Sequence, residues 1–212
     1  YDISACLVGS EMCIRDRIWE HKGNPAGQRL TANRTIESFY KWSGGGRIPI
    51  FCDTTSCTHT LLFETGGDIL TPENREKYKQ LKIMDITQWL KEVVLPRIKV
   101  IRPKNRILLH PTCSCQIMGL TPVLLDIARK CAREVILPDN WGCCGASGDR
   151  GFIFPELSDS ATRDERDEIG HESFDGCYSL ARTCEIAMQD HIEQPYESIV
   201  YLVDETLQDQ GT

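Results

Sequence analysis

The chain contains no apolar run approaching the ~18 residues that a membrane-spanning helix needs, so no transmembrane segment is expected. Blocks of basic residues are missing too. The 24 Lys and Arg are scattered among 31 Asp and Glu, for a formal charge of -7. A nucleic-acid binder needs a concentrated positive footprint, so nucleic acid is not an expected partner. No face reads as a basic amphipathic anchor. Residues Tyr1–Arg17 lack the basic start and continuous apolar core of a signal peptide. No nucleophile, base and acid stand out as a set, so no catalytic residue is assigned.

Cysteine, by contrast, is abundant: eleven in 212 residues. An odd count rules out complete internal disulfide pairing. Disulfide scaffolds are also short and loop-rich, whereas this chain carries long periodic segments. Together these features point first to metal.

Residues 1–17 show no usable period and no helix cap, and read as foreign to the domain; Cys6 and Cys13 are discounted with them. From Ile18 onward, helical and extended patterns alternate. Helices are expected over Thr31–Trp42, after Asp85, from Thr121-Pro122, across Ser158–Ile169, across Thr183–His191, and after Ser198. Strands are expected at Arg47–Cys52, Arg106–His110 and Glu134–Leu137, and the polar stretch from Gly66 to Lys79 is expected to form a loop with a short helix. This alternation predicts an α/β fold with largely parallel strands and flanking helices. A faint repeat accompanies it: Asp53–Thr58 resembles Leu180–Glu185 at an offset of 127, and Asp85–Leu90 resembles Ser198–Val203 at an offset of 113. The difference matches the polar stretch, which suggests a duplicated unit whose first copy is truncated. The expected parts are residues 18–105, a remnant of the first half, and residues 106–212, a complete second half.

Cys113 follows the Arg106–His110 strand, the pair Cys143-Cys144 follows the Glu134–Leu137 strand, and Cys184 stands at another strand-to-helix junction. Sites in parallel α/β folds form at the C-terminal ends of strands, so these segments are expected to converge on one sheet edge. Gly142 and Gly145 flank the pair and let the backbone turn tightly. Adjacent cysteines suit a single zinc ion poorly, whereas a polynuclear iron cluster offers separate irons to neighbouring thiolates.

The series Cys113, Cys143-Cys144-Gly145 and Cys184 resembles the cysteine-rich CCG domain, which carries a Cys, a CCG and a CxxC, usually in two copies. The strings DTTSCTH (53–59), HPTCS (110–114), CCGASGDRGFIFPEL (143–157), RTCEIAM (182–188) and PYESIVYLVDE (195–205) are similar to the C-terminal iron–sulfur region of bacterial FAD-linked D-lactate dehydrogenases. The resemblance spans Ile18 to about Leu207.

That resemblance implies a [4Fe–4S] cluster on Cys113, Cys143, Cys144 and Cys184. Cys57 would then be the remaining ligand of the first copy. His110 and His59 each lie beside a candidate ligand, placed either to hydrogen-bond cluster sulfur or to serve as structural histidines, and Gly145 stands behind the ligands. It further implies missing upstream FAD and ferredoxin-like domains of the same polypeptide, with FAD held only there. The acceptor would be a quinone or cytochrome, and the place of action the cytoplasm or the inner membrane face. Ala181 stands where the first cysteine of the CxxC belongs, which disfavours a five-cysteine noncubane cluster. Cys177, near by, is a possible substitute with the wrong spacing for the motif. Two other readings stay open: a heterodisulfide-reductase-type subunit, and a zinc-stapled structural domain. Cys131 and Cys52 are expected in the core, and Cys115 as a spare thiol. Gly148–Gly151 is expected to shape the cluster loop, with Asp149 and Arg150 paired, and Asp164–Glu168 to form a solvated helix face.

Overall fold

A computed structural model describes Trp19, residues 23–148 and residues 150–207. The expectations for residues 1–17, for Cys6 and Cys13, and for an Asp149–Arg150 pair lie outside the described residues. The chain forms two compact units, one ending at Ile86 and one beginning at Thr87. Both are α/β with parallel strands.

In the first unit, α1 (Pro25–Trp42) starts earlier than its apolar periodicity indicates. Asn24 accepts the Gly27 N–H at 2.9 Å, and Pro25 at the first helical position loses nothing by lacking an N–H. The buried face holds Ala32, Thr35, Ile36 and Phe39. β1 (Ile50–Cys52) is half the length expected, since Pro49 precedes it and has no N–H to give a ladder. α2 (Thr55–His59) continues in a wider turn through Thr60–Glu64. α3 (Pro72–Gln80) is capped by Thr71, and β2 (Ile83–Asp85) then pairs in parallel with β1.

α4 (Ile86–Trp89) follows β2, extends through Leu90–Val94, and ends in a tight turn at Leu95–Arg97. Past Ile86 this stretch packs with the second unit, where Lys91 pairs with Asp126 at 2.6 Å and Val100 bridges to Leu207.

The second unit runs β3 (Lys104–Leu109), α5 (Cys113–Ile117), α6 (Thr121–Cys131), β4 (Ala132–Ile136), α7 (Arg150–Ile153), α8 (Pro155–Ile169), β5 (Gly176–Ser179), α9 (Arg182–Ile192), β6 (Tyr196–Ser198) and α10 (Ile199–Thr206). Its sheet has the order β4-β3-β5-β6, every pair parallel. Ile107, Leu108 and Leu109 of β3 are all fully buried, as a central strand covered on both faces must be. Thr121 is the first helical residue of α6 rather than its cap, which is Leu120. Cys131 is fully buried on the α6 face, a core residue as expected.

The repeat holds at the level of the backbone. Adding 127 and 113 carries the pairs Ile50↔Ile83 and Cys52↔Asp85 onto Cys177↔Tyr196 and Ser179↔Ser198, which are the observed pairs of β5 and β6. The same offsets carry the first helical residues Thr55 and Ile86 onto Arg182 and Ile199. Each copy is therefore strand–helix–strand–helix with one register, and the first accommodates α3 as an insertion. Among the described residues no helix is long and apolar enough to cross a membrane.

Candidate functional site

The sheet order makes β3 and β5 neighbours whose connections leave in opposite directions, to β4 on one side and to β6 on the other. Such a divergence opens a crevice at the C-terminal ends of the two strands. Both strands deliver a cysteine there. After β3 comes His110-Pro111-Thr112-Cys113, in which the Thr112 hydroxyl accepts the Cys115 N–H at 3.2 Å and caps α5. After β5, Ala181 is the N-cap of α9 in extended backbone, without a side-chain cap, and Cys184 sits in the first turn. The segment is tied down by the His110 N–H donating to Tyr178 O at 3.0 Å and the Ser179 hydroxyl donating to His110 O at 2.8 Å.

The loop after β4 closes the arrangement. Cys144 Sγ donates to Cys184 Sγ at 2.9 Å, although the two lie on different connections of the sheet. Both are buried, at 5% and 8% exposure, whereas Cys143 and Cys113 are exposed. Cys143 Sγ accepts the Gly145 N–H at 3.4 Å. A hydrogen bond from Cys143 draws the Cys144 thiol down, but the contact with Cys184 and burial outweigh it and push Cys144 up to about 12. Left to itself, then, Cys144 holds its proton; as a metal ligand a thiol gives that proton up outright.

Cys177 packs in the same buried group as Cys144 and Cys184, its thiol facing Gln194 Oε1 at 3.4 Å and pushed up to about 12 by burial. Ala181 belongs to that group as well, so a fifth thiol at that position would have bordered the contact. Cys57 lies in the first unit, buried against Phe39 and Leu61. His59 there stacks on Phe63 and has Nδ1 at 3.1 Å from Glu64 Oε1.

Behind the crevice lies a feature that the residue pattern concealed. His110 is fully buried, and its Nδ1 faces Glu165 at 2.9 and 3.1 Å from the two carboxylate oxygens. Its Nε2 has no hydrogen-bond partner among the described residues. Glu165, at 1% exposure, contradicts the expectation that Asp164–Glu168 is a solvated face. The buried stripe of α8 is Ser158, Thr162, Glu165 and Ile169, so one acid of the run points inward. The helical spacing to Ile169 was the available signal, masked by the charge of its neighbours. Burial, then the Glu165 carboxylate, pushes the hydroxyl of Tyr196 far up. Glu168 also departs from a purely solvated role. It accepts the N–H groups of Asp139 and Asn140 at 2.7 and 2.8 Å, holding the loop that carries the cysteine pair.

Gly145 has a positive φ of 74°, and a Cβ there would stand 2.6 Å from Leu157 O and 2.7 Å from Ser158 Cα. Its need is thus close approach to α8. The Gly151 N–H donates to Ala146 O at 2.8 Å, folding the chain back on the loop.

Among the described residues, no three or more His, Cys, Asp or Glu side chains converge tightly enough to hold a metal ion. Two thiols in contact, a third adjacent to them and a fourth on the same sheet edge instead form a spread donor set. Four thiolates are the chemical complement of a four-iron cluster, so the residue types fit that group. No family model matches the chain, and no curated protein does either.

Proposed function

We propose that this chain is an iron–sulfur electron-transfer module, with Cys113, Cys143, Cys144 and Cys184 as the ligand set and Cys57 as the surviving ligand of a second. The observation that carries the reading is the 2.9 Å approach of Cys144 and Cys184 at the edge where a parallel sheet forms its sites. The surrounding residues contribute in distinct ways. α9 begins without a side-chain cap, so its first N–H groups favour negative charge near Cys184. The apolar group of Ala181, Ala187, Met188 and Ile192 keeps water from the inner thiols. Glu165 fixes the His110 ring through Nδ1, the arrangement by which a carboxylate orients a histidine behind a metal site.

When bound, a [4Fe–4S] cluster supplies one-electron transfer, here between a flavin and a quinone or cytochrome. The wider reading rests on the strings from DTTSCTH to PYESIVYLVDE: an FAD domain elsewhere in the polypeptide oxidises a D-2-hydroxy acid such as D-lactate. The protein then works in the cytoplasm or peripherally at the inner membrane face.

The test is anaerobic reconstitution of the chain with iron and sulfide, followed by absorbance and EPR of the reduced protein. A colourless, EPR-silent product carrying only zinc overturns the proposal. Replacing Cys144→Ser should remove most of the bound iron; an unchanged spectrum would refute its ligand role.

A further inference from the structure

The Cys144–Cys184 contact has a chemistry of its own, independent of any metal. The described cysteines include no disulfide, yet these two sulfurs stand 2.9 Å apart with thiol hydrogen in between. They come from separate connections, the β4 loop and the first turn of α9, and 39 residues intervene. Both are more than nine-tenths buried, so a solution oxidant reaches them less readily than it reaches the exposed Cys143. Cys143 is exposed and immediately precedes Cys144 in the chain. Cys143 thus offers a solvent-facing thiol one residue from the buried pair.

We propose that Cys144 and Cys184 are a reversible disulfide site, oxidised by low-molecular-weight disulfides that enter through Cys143.

The exchange steps balance. The Cys143 thiolate attacks the small disulfide, forming a mixed disulfide and releasing one small thiol. Cys144 then attacks the Cys143 sulfur and expels the second small thiol. Cys184 finally attacks the Cys144 sulfur and returns Cys143 as a thiolate, and the protons of Cys144 and Cys184 end on the two small thiols released. In sum, two protein thiols are oxidised to a disulfide and one small disulfide is reduced to two thiols. The last transfer is favoured because adjacent cysteines hold a bridge away from relaxed geometry, whereas the partners on separate segments are free of that constraint. Oxidation leaves neither Cys144 nor Cys184 as a thiolate, the form that binds metal. Where the proposed function holds, the disulfide and the cluster exclude one another.

The experiment uses the full chain, stripped of metal with a chelator, reduced, and then exposed to oxidised glutathione. Peptide mapping under non-reducing conditions follows the linkage over time. A linked pair of peptides carrying Cys144 and Cys184, cleaved by dithiothreitol, is the expected product. Cys143→Ser should still give that link, about tenfold more slowly, and Cys184→Ser should give none of it. Absence of the link, or a dominant Cys113–Cys143 link, overturns the proposal. Equal rates for Cys143→Ser and the parent remove Cys143 as the entry point and overturn the route. Because the linked peptides in Cys143→Ser themselves establish the pair, misfolding of Cys184→Ser does not obscure the result. No readout involves iron, so failure of reconstitution sinks the cluster alone, and failure of the linkage sinks the disulfide alone.

Discussion

Cys57 and Cys184 occupy the same position in two copies of one backbone unit, yet their surroundings differ. Each lies in the first helical turn after a parallel strand, and one register describes both strand pairs. Cys57 packs against Phe39 and Leu61, whereas Cys184 meets the thiol of Cys144. The shared strand–helix–strand–helix unit sets where the cysteine stands. What it faces is set by an element outside the repeat, for the second unit the loop after β4. A thiol at the end of a strand is a position; a site needs a second connection to arrive there.

The largest test of this contrast lies in the buried polar contacts. The second unit holds the His110–Glu165 pair and the first holds Thr58 donating to Asp85 at 2.9 Å. Removing Glu165 leaves the buried His110 Nδ1 without the carboxylate it bonds, so Glu165→Ala should cost about 3 kcal/mol or more. Thr58→Val loses one hydrogen bond and should cost about 1–3 kcal/mol. Denaturant unfolding of both variants checks the order, and equal losses would show that the pair behind the crevice is not special.

Next in size is Gly145→Ala, which forces a side chain into a left-handed backbone and against Leu157 and Ser158. A loss of about 1–3 kcal/mol is expected. Alkylation should also change, with Cys144 becoming modifiable as the loop loosens. A variant as stable as the parent, with Cys144 still protected, would separate the glycine from the site.

The smallest effect concerns pH. The N–H groups of Asn140 and then Asp139 hold the Glu168 carboxyl below the ordinary carboxylate range. Its folded pKa is depressed, so its contribution is complete above the unfolded value of about 4.3 and is lost as pH falls through the folded one. The amide resonances of Asp139 and Asn140 should therefore titrate below that range. A midpoint at or above it would mean the carboxylate does not hold the loop.

Much of the second unit was legible in the residue order. Arg106–His110 carries a continuous apolar run, Gly142 and Gly145 mark a turn, and the offsets of 127 and 113 already located both strand–helix junctions. The strands β2 and β6 were not legible, because three residues show barely one alternation of side chains. Nor was the division at Ile86, since 87–105 reads as a continuation of the first half until Lys91 and Val100 find partners in the second. Glu165 was hidden among its charged neighbours, its partner lying 55 residues away in the chain.

Local chemistry therefore determined a good deal about this protein: parallel α/β units, a repeat, and cysteines placed after strands. These follow from periods and turns that short stretches of chain carry within themselves. Which thiols meet, and which acid is buried, was decided only by the tertiary structure. The β4-β3-β5-β6 order brings two distant connections to one edge, and the rotation of α8 brings Glu165 to His110. Contacts of that kind depend on strand order and helix rotation, and neither quantity is written in any local stretch of residues.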